Sequence, residues 1–479
     1  MSEELTVNEY RAQRMANMAE LVRLGYAPFG RAFARSGRLS DIHAAFEEGK
    51  SVSVAGRLTT IRDMGKSIFA DLNDGSDRFQ IYVQGKAMDE AAFEAFKLLD
   101  IGDHIGIDGE LFVTRTSEQT IKVTRWEMLS KALLPLPEKW HGLKDTEACY
   151  RQRYLDLISN PGSRLLFNRR IEAIRAIREF LATRGFYEVE TPMMQPQAGG
   201  AAARPFVTHY AALDSEMFFR IAPELYLKRL LVGGFDKVFE LNRNFRNEGL
   251  DRTHNPEFTM LEIYEAYGDV KSMQLLIEGM ITHVAQTVFG GLKLGSESRP
   301  VDLTPPWREA TYHELIRERM GADWFTLPLA QARTRAEAAG LALDPAWDLM
   351  MVTHEVYEKL IEKTLMQPTF VKRLPAALIP LAKACTDDPS LADVFELVIA
   401  GQEVAPAYTE LNDPLEQRKR LAQQAGENPQ AIDESFLEAL EHGMPPAGGM
   451  GVGIDRLMMI LAGVDAIRDV ILFPQLKQK

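Results

Sequence analysis

Five short β-rich runs lie between residues 51 and 130, and they constrain the fold of this chain more than any other feature. Turns rich in Gly, Asp and Asn separate the runs, and one helical stretch at 88–98 follows the third run. Five strands with a helix inserted after the third are typical of a small Greek-key barrel, the OB-fold, which binds oligonucleotides. We therefore predict an OB-fold domain over residues 51–133.

The segments that flank this barrel indicate how the rest of the chain is divided. Residues 1–50 have a helical pattern and predict an N-terminal helical extension. Two prolines, Pro135 and Pro137, stand at the start of residues 134–160, which we interpret as a linker. In residues 161–479, helices and strands mix without regular βαβ units. We therefore predict an α+β domain, an antiparallel sheet flanked by helices, with a helical insertion at about 305–365.

The stretch FRNEGLDRTHNPEF, residues 245–258, is the most charged feature of the second domain. Alternation before it places four polar residues on one face of a strand: Glu240, Asn242, Asn244 and Arg246. Alternation after it gives another face made of Phe258, Met260, Glu262 and Tyr264. A solvated loop would explain the mixed charges alone. The flanking strands instead favour the tip of an antiparallel hairpin, with a polar face that meets water or a ligand.

Two carboxylates are predicted to lie close together near the C-terminus. Residues 393–413 alternate as two strands joined at Ala400-Gly401, a turn that would make Glu396 and Glu403 diagonal neighbours on one face. Such a pair is repulsive unless a cation lies between the carboxylates. Either Mg²⁺ that holds substrate phosphates or a basic side chain could supply that cation.

A run of alternating glycines, GGMGVGIDRLMMIL at 448–461, leads into a helix that begins near Asp455. Glycines at alternate positions leave a bare strand face against which a flat nucleotide base can lie. Arg456, at the start of the helix, can meet a phosphate where the helix dipole is also positive. The run therefore indicates a nucleotide site when it is combined with the hairpin and the two acids.

Three stretches resemble the signature motifs of class II aminoacyl-tRNA synthetases: TPMM at 191–194, the hairpin at 245–258 and the glycine run at 448–461. Further stretches are similar to the bacterial-type lysyl-tRNA synthetase family, at 141–158, 199–206, 220–230, 409–413 and 467–474. The resemblance implies ATP-dependent activation of L-lysine, followed by transfer to the 3′ end of tRNA(Lys). It also implies Mg²⁺ as cofactor and a homodimer formed through the segment that ends at Thr191-Pro192.

By this resemblance, the ATP site consists of Arg246, Glu248, His254, Phe258, Glu396 and Arg456. Arg246 matches the arginine that meets the α-phosphate and the amino-acid carboxylate, and Arg456 matches the arginine at the γ-phosphate end. These two are the predicted catalytic residues. Phe258 would stack on adenine, and Glu396 and Glu403 would be the Mg²⁺ ligands. Positioned cations can drive attack on the α-phosphorus without a protein nucleophile.

The resemblance also implies a lysine site made of Gly200, Glu224, Arg246, Glu262, Tyr264 and Glu410. Lysine is a cation on a flexible stem, so a selective pocket should offer carboxylates at two ends. Gly200 and Glu224 are expected at the α-amino group. Glu262, Tyr264 and Glu410 are expected at the ε-ammonium group.

The chain departs from the family pattern at Pro406, four residues before Glu410. The family has an asparagine there, at the wall of the pocket. Proline has neither a side-chain amide nor a backbone N–H. The departure therefore weakens the expectation of lysine affinity and selectivity more than the expectation of ATP binding.

In the barrel, Phe69 and Gln80 match family positions that stack on and hydrogen-bond to anticodon bases. The formal net charge is −13, yet residues 10–38 hold six arginines against one acid, a stripe that suits a polyanion or is simply a solvated helix face. Cys149 and Cys385 form no disulfide or metal pattern, and no apolar run is long enough to span a membrane. We therefore expect a cytoplasmic protein that does not span a membrane.

Two other functions remain open on the sequence. One is a class II-like paralogue with altered specificity, such as an enzyme that aminoacylates a protein lysine, but such paralogues lack the barrel predicted at 51–133. The other is a non-catalytic regulator that binds tRNA or a nucleotide. The presence of all four predicted phosphate and metal contacts argues against the regulator: Arg246, Glu396, Glu403 and Arg456.

Overall fold

The computed structural model describes residues 6–137, 143–201, 203–425 and 432–477. The chain forms two compact units, residues 1–161 and 162–479. The predicted linker at 134–160 falls in part on residues 138–142, outside the described residues, and so does Ala202 of the stretch at 199–206. In the described ranges, every helix is too short or too polar to cross a membrane.

The first unit contains a closed barrel of five strands, β1 (Ser51–Asp63), β2 (Ser67–Asn73), β3 (Arg78–Gln84), β4 (His104–Val113) and β5 (Gln119–Ser130). The same unit contains five α-helices in its described part: α1 (Val7–Arg23), α2 (Leu39–Ala44), α3 (Glu90–Phe96), α4 (Thr146–Arg151) and α5 (Arg153–Ser159). The strand order is β1-β2-β3-β5-β4, and α3 follows the third strand as predicted.

Period-two alternation explains why these strands close into a barrel. Along β3 the buried side chains are Phe79, Ile81 and Val83, and the residues between them are at least partly exposed. The outer face of the barrel is therefore available for a ligand, while the inner face forms an apolar core. Trp126 closes that core by stacking on Tyr26, with ring centroids 4.6 Å apart. The predicted OB-fold is confirmed.

The second unit contains thirteen strands in its described part. They are β6 (Tyr187–Glu188), β7 (Met194–Gln195), β8 (Val207–Tyr210), β9 (Ser215–Phe219), β10 (Lys237–Phe245), β11 (Glu257–Ala266), β12 (Lys293–Ser296), β13 (Arg299–Asp302), β14 (Arg308–Thr311), β15 (Thr369–Lys372), β16 (Val394–Ile399), β17 (Gln402–Thr409) and β18 (Ala447–Gly453). Eight of them form one sheet in the order β14-β15-β16-β17-β18-β11-β10-β6, in which only the two outermost pairs are parallel.

The α-helices of this unit are α6 (Pro161–Ala182), α7 (Glu224–Val232), α8 (Val270–Val284), α9 (Tyr312–Met320), α10 (Leu329–Ala338), α11 (Leu349–Val356), α12 (Pro414–Ala425), α13 (Glu434–Glu441), α14 (Ile454–Ala462) and α15 (Ile467–Val470). Two π-helical turns are Ala285–Phe289 and Tyr357–Ile361, and short 3-10 turns are Trp324–Thr326, Glu362–Thr364 and Ala376–Leu378. The stretch at about 305–365 contains β14 and is otherwise mainly helical.

The core of the second unit explains where a site can form. Three helices, α6, α8 and α14, pack against one face of the sheet through residues such as Ile177, Ile277 and Leu457. On β11 the residues in that core are Leu261 and Ile263. The residues that alternate with them must point to the opposite face. The antiparallel sheet with flanking helices is confirmed, and its second face is left for polar side chains.

Candidate functional site

A cavity of about 470 Å³ lies over the second face of the sheet. Its walls come from β11, β17 and β18 and from the beginnings of α7 and α14. Ten of the predicted site residues line it: Gly200, Glu224, Arg246, Glu248, His254, Phe258, Glu262, Tyr264, Glu403 and Arg456. A larger cavity of about 810 Å³, beside Tyr312 and Phe325, contains none of the predicted site residues. The smaller cavity is therefore the candidate site.

The charged stretch forms the tip of a hairpin at one end of this cavity. β10 and β11 pair antiparallel from Lys237 with Glu265 to Phe245 with Glu257, so the stretch between them is their connection. Arg246 follows β10 directly, and its guanidinium lies 5.2 Å from the centroid of the Phe258 ring. A cation over an aromatic face is attractive. This contact holds the arginine against the wall on which a flat base would stack.

The polar face of β10 corrects one interpretation made from the sequence. Glu240 is 1% exposed and accepts hydrogen bonds from Arg220 and from the Thr191 hydroxyl, both at 2.6 Å. Asn244 is also buried, and its amide donates to the Met260 sulfur at 3.1 Å. The expectation that these side chains meet water or a ligand is wrong for Glu240 and Asn244. Arg220 supplies a buried partner charge, so this part of the face anchors the strand instead.

A chain of contacts links the hairpin tip to α14. Asp251 lies 2.8 Å from Nδ1 of His254, and the other ring nitrogen lies 3.2 Å from the Arg456 guanidinium. Burial opposes the shift, but the Thr253 backbone N–H and the His254 ring together lower the pKa of Asp251 to about 2. Arg456 also donates to the Glu403 carbonyl at 3.0 Å. Arg456 is thus held at the first turn of α14, with its cationic group beside the cavity.

Asp455 fixes the start of the same helix to the sheet. Its carboxylate accepts a hydrogen bond from the Thr259 backbone N–H at 2.8 Å. It also pairs with Arg170 at 2.6 Å. Asp455 is 2% exposed, so the pair is shielded from water. This buried anchor sets the position from which Arg456 reaches the cavity.

The two predicted metal ligands lie on a hairpin whose turn agrees with the sequence. Ile399 pairs with Gln402, and both Ala400 and Gly401 adopt positive φ, as a tight two-residue turn requires. A bulge between Leu397 and Val398 shifts the remaining register. Burial and the charge of Glu403 raise the pKa of Glu396 well above its ordinary value. The two carboxylates are therefore close enough to repel each other.

Two further residues contact Glu396 and Glu403, and the sequence analysis missed both of them. We call the group of Glu362, Glu396 and Glu403 the acidic end of the site. The Tyr357 hydroxyl donates to Glu396 at 3.1 Å, and the Glu403 backbone N–H donates to Glu362 at 3.1 Å. Burial and Glu403 raise the pKa of Glu362. Both residues come from short turns about 40 positions before the strands that they contact, and no local pattern marks them.

The acidic end has the chemistry that a divalent cation requires. Its carboxylates raise one another's pKa, and a cation bound between them would relieve that repulsion. Within the described ranges, His, Cys, Asp and Glu side chains form no group of three or more that could hold a metal by themselves. Mg²⁺ commonly takes one or two carboxylates and completes its shell with phosphates and water. Glu396 and Glu403 thus fit an ion that arrives together with a nucleotide.

The other end of the cavity contains a cluster of buried carboxylates. The Tyr264 hydroxyl donates to Glu262 at 2.8 Å. Glu410 is fully buried, with one carboxylate oxygen 2.5 Å from the Lys228 ammonium. Its other oxygen, Oε1, has no hydrogen-bond partner among the residues that the structure describes. A buried acceptor without a donor is costly, so this oxygen marks a place for a ligand donor.

The absence of a side chain at Gly449 makes room for that oxygen and for the Tyr264 ring. A Cβ added at Gly449 would lie 1.9 Å from Oε1 of Glu410 and 2.5 Å from the Tyr264 ring. At Gly451, on the same strand face, the nearest atoms would lie 3.9 Å away. The glycine run therefore has two roles along β18. At Gly449 it makes room for side chains of the carboxylate cluster, and further along it leaves a bare wall.

The electrostatics of this end favour a cationic ligand. Burial, together with the charge of Glu224, raises the pKa of Glu262 to about 8. Burial also raises the pKa of Glu410 to about 7, although Lys228 opposes the shift. A bound ammonium group would stabilise the ionised form of acids that burial otherwise keeps neutral. Lys228 was missed from the sequence, although its position four residues after Glu224 on a helix was a signal.

The two residues predicted to bind an anticodon lie on the outside of the barrel in the first unit. Phe69 pairs with Tyr82 across β2 and β3, with ring centroids 4.8 Å apart, and Tyr82 lies 5.9 Å from the Phe112 ring. The Gln80 side chain accepts a hydrogen bond from the Thr120 hydroxyl at 2.9 Å. Three neighbouring, partly exposed aromatic rings form a surface on which bases can stack. Tyr82 and Phe112 were not predicted.

Comparison with known proteins matches both units. The family model described as tRNA synthetases class II (D, K and N) matches residues 145–477, and the OB-fold nucleic acid binding domain model matches residues 52–129. A lysine–tRNA ligase of Syntrophomonas wolfei is 48% identical over all of this chain and 99% of its own length. The ligase of Moorella thermoacetica is 48% identical over 98% of both chains, and that of Dehalococcoides mccartyi is 45% identical over 98% of this chain and 97% of its own.

Proposed function

This chain belongs to the class II tRNA synthetases of the D, K and N group, and we propose that it is a lysine–tRNA ligase. It activates L-lysine with ATP to give lysyl-adenylate and pyrophosphate, and it transfers the lysyl group to the 3′ end of tRNA(Lys). ATP is a co-substrate and Mg²⁺ the cofactor. The cytoplasm, where tRNA is charged, is the proposed location.

The observation that carries the choice of lysine is the cluster of buried carboxylates at one end of the cavity, where Glu224 and Glu262 line the wall and Oε1 of Glu410 has no hydrogen-bond partner among the described residues. An uncharged or acidic side chain would leave buried carboxylates without a counter-charge there, which is costly. An ammonium group at the end of a long stem supplies both the donors and the charge. Glu262 and Tyr264, beside Glu410, are proposed to complete the ε-ammonium site.

The remaining lysine contacts follow from the position of the cavity walls. Glu224 and Gly200 are proposed to bind the α-amino group, because both line the cavity at the start of α7. Arg246 is proposed to bind the carboxylate of lysine and the α-phosphate of ATP. It thus holds the nucleophile and the electrophile next to each other, an arrangement that supplies much of the rate enhancement in such reactions.

The hairpin and α14 are proposed to hold ATP. Phe258 stacks on adenine, Glu248 and His254 bind the nucleotide from the hairpin tip, and Arg456 neutralises the γ-phosphate end. Charge that builds on the α-phosphate during attack is stabilised by fixed cationic groups, so no side-chain nucleophile is needed. Glu396 and Glu403 would hold Mg²⁺, which supplies further positive charge to the phosphates when bound.

Two partners are proposed beyond the substrates. Phe69 and Gln80 are proposed to bind the anticodon of tRNA(Lys) on the outer face of the barrel. A second copy of the chain is proposed to cover the edge of the sheet at β6 and the exposed side of α6. These proposals are supported by the aromatic surface around Phe69 and by apolar side chains exposed on those two elements.

ATP–pyrophosphate exchange with each of the twenty amino acids, with and without tRNA, tests the function. Lysine alone should support strong exchange without tRNA. Exchange led by another amino acid would favour the paralogue with altered specificity. Binding of ATP or tRNA without exchange for any amino acid would favour the non-catalytic regulator.

A further inference from the structure

Lys228 is a buried cation within the carboxylate cluster of Glu224, Glu262 and Glu410, and it does not itself line the cavity. It lies on α7 and has no exposed surface. Its ammonium group lies 2.7 Å from Glu224, one turn earlier on the same helix, and 2.5 Å from Glu410, which follows β17. Burial alone would lower the pKa of Lys228, but the two carboxylates raise it above its ordinary value. Lys228 therefore stays charged and joins two acids of the cluster, of which Glu224 lines the cavity.

The net charge of the carboxylate cluster matches the charge of the two ammonium groups of lysine. The ionisable groups that face one another are Glu224, Lys228, Arg246, Glu262, Tyr264, Tyr408 and Glu410. When the acids are ionised and the tyrosines neutral, three carboxylates and the Lys228 ammonium leave two negative charges. Lysine brings two ammonium groups, and its own carboxylate is left for Arg246. The pocket without Lys228 would carry one negative charge too many for this substrate.

Lys228 also fixes the orientation of the Glu410 carboxylate. Lys228 pairs with one oxygen of Glu410 and leaves Oε1 without a hydrogen-bond partner, packed against Gly449. A carboxylate with one oxygen paired to a fixed ammonium has a defined orientation, and its second oxygen keeps the capacity to accept a hydrogen bond. A binding group that is already oriented in the free protein loses less conformational entropy when the ligand binds.

We propose that Lys228 is a positioning residue that determines lysine selectivity: it orients Glu224 and Glu410 and sets the charge of the pocket to that of two ammonium groups. The inference rests on the proposed lysine activation and deepens it. Lys228 has no exposed surface and does not line the cavity, so it acts on lysine through the two glutamates.

Replacement of the ammonium by an uncharged group of similar length is the first test. In Lys228→Met, three carboxylates share two substrate ammonium groups, so one of them should take up a proton near neutral pH. Glu410 is the expected acceptor, because Lys228 now opposes its raised pKa. Relative to wild type, the KM for lysine near pH 7 should rise at least about tenfold, because a protonated Glu410 is no longer a charged acceptor held by Lys228. It should stay raised at about pH 9, where the third carboxylate ionises and the pocket carries one negative charge too many, while the KM for ATP stays within about twofold.

A double variant protects this test against misfolding. Removing Lys228 alone leaves buried carboxylates uncompensated, which destabilises proteins. Lys228→Met combined with Glu410→Gln removes one charge of each sign and again leaves two negative charges, on Glu224 and Glu262. Lysine should therefore bind more tightly to the double variant than to Glu410→Gln alone, as measured by calorimetry and by KM. Such a reversal is the mark of coupled residues in a double-mutant cycle.

The outcomes separate the inference from the function on which it rests. If the wild-type chain does not activate lysine, the proposed function itself fails. If wild type activates lysine but Lys228→Met leaves its lysine KM and pH profile unchanged, only the role of Lys228 is overturned. A double variant that binds lysine more weakly than either single variant would show Lys228 to be a packing residue, and this also overturns the inference.

Discussion

Pro406 lies directly opposite Glu396 in the antiparallel pairing of β17 with β16. The bulge between Leu397 and Val398 produces this pairing. Pro406 also lines the cavity, and pairing with β18 begins only at the next residue, Ala407. The wall of the cavity next to Glu396 therefore contains a residue that can donate no hydrogen bond.

We expect Pro406→Asn to tighten lysine binding. The asparagine amide would restore a donor where the wall lacks one, and a single hydrogen bond to a ligand contributes about 0.5–1.5 kcal/mol. The KM for lysine in pyrophosphate exchange should fall by up to roughly tenfold, with the KM for ATP unchanged. An unchanged lysine KM would mean that water or a neighbouring backbone amide already fills this role. Wild type should already prefer lysine, since the charged contacts of Glu224, Glu262 and Glu410 remain.

We expect Gly449→Ala to block the ε-ammonium site. The new Cβ would overlap Oε1 of Glu410 at 1.9 Å and the Tyr264 ring at 2.5 Å, so both side chains must move. The lysine KM should rise at least about tenfold, the effect of about 1.4 kcal/mol. Gly291→Ala is the control, because Gly291 does not line the cavity and a Cβ there would meet nothing within 4 Å, so the lysine KM should not change. Equal effects of the two variants on lysine would contradict this assignment.

Local patterns were sufficient to predict the frame of the site. Alternation along β11 predicted that Phe258, Met260, Glu262 and Tyr264 share a face, and all four line the cavity. The turn at Ala400-Gly401 predicted the pairing of Ile399 with Gln402. These features depend on neighbours in sequence, where the period of the backbone dictates the geometry.

Other parts of the site depend on contacts between distant segments, and sequence patterns do not show them. Glu240 was interpreted as part of a polar face for a ligand because nothing local reveals its partner Arg220. The bulge after Leu397 has no sequence signal, and it changes the residue that faces Glu396. Lys228 is intermediate, since its contact with Glu224 is local but its contact with Glu410 is not.

We expect Phe69→Ala to weaken tRNA charging without affecting lysine activation. Stacking of a base on an aromatic ring contributes about 1–3 kcal/mol, so charging efficiency should fall roughly five- to 150-fold. ATP–pyrophosphate exchange without tRNA should be unchanged, because it requires only the second unit. Equal loss in both assays would show that Phe69 serves the core of the barrel instead, where its ring already contacts Tyr82.

We expect the chain to be a homodimer. Strand β6 lies at the edge of the eight-stranded sheet, and Tyr187 on it is 65% exposed. Ile171, on α6, is 59% exposed. An apolar edge of this kind is normally covered by a partner. Light scattering should give roughly twice 53.9 kDa.

The matched pair of variants for the dimer is Ile171→Asp and Leu415→Asp. A charge at Ile171 should dissociate the dimer if α6 lies in the interface. Leu415, on α12, is 77% exposed and should tolerate the change. A fully active wild-type monomer would refute the dimer.

The stability of the ligand-free enzyme should fall as the pH rises from about 7 to about 8.5. The pKa of Glu262 is raised from 4.5 to about 8 and that of Glu410 to about 7, so the folded state binds protons that the unfolded state has already lost. Their contribution to stability is complete below about pH 4.5 and is lost as the pH passes through the folded pKa values.

Lysine should oppose this loss, because its ammonium groups stabilise the ionised carboxylates. Thermal melting should therefore show a larger lysine-induced rise in Tm at about pH 8.5 than at about pH 7. Glu262→Gln should reduce both the pH-dependent loss and the difference between the two lysine effects, and an unaltered difference in that variant would contradict the role of Glu262.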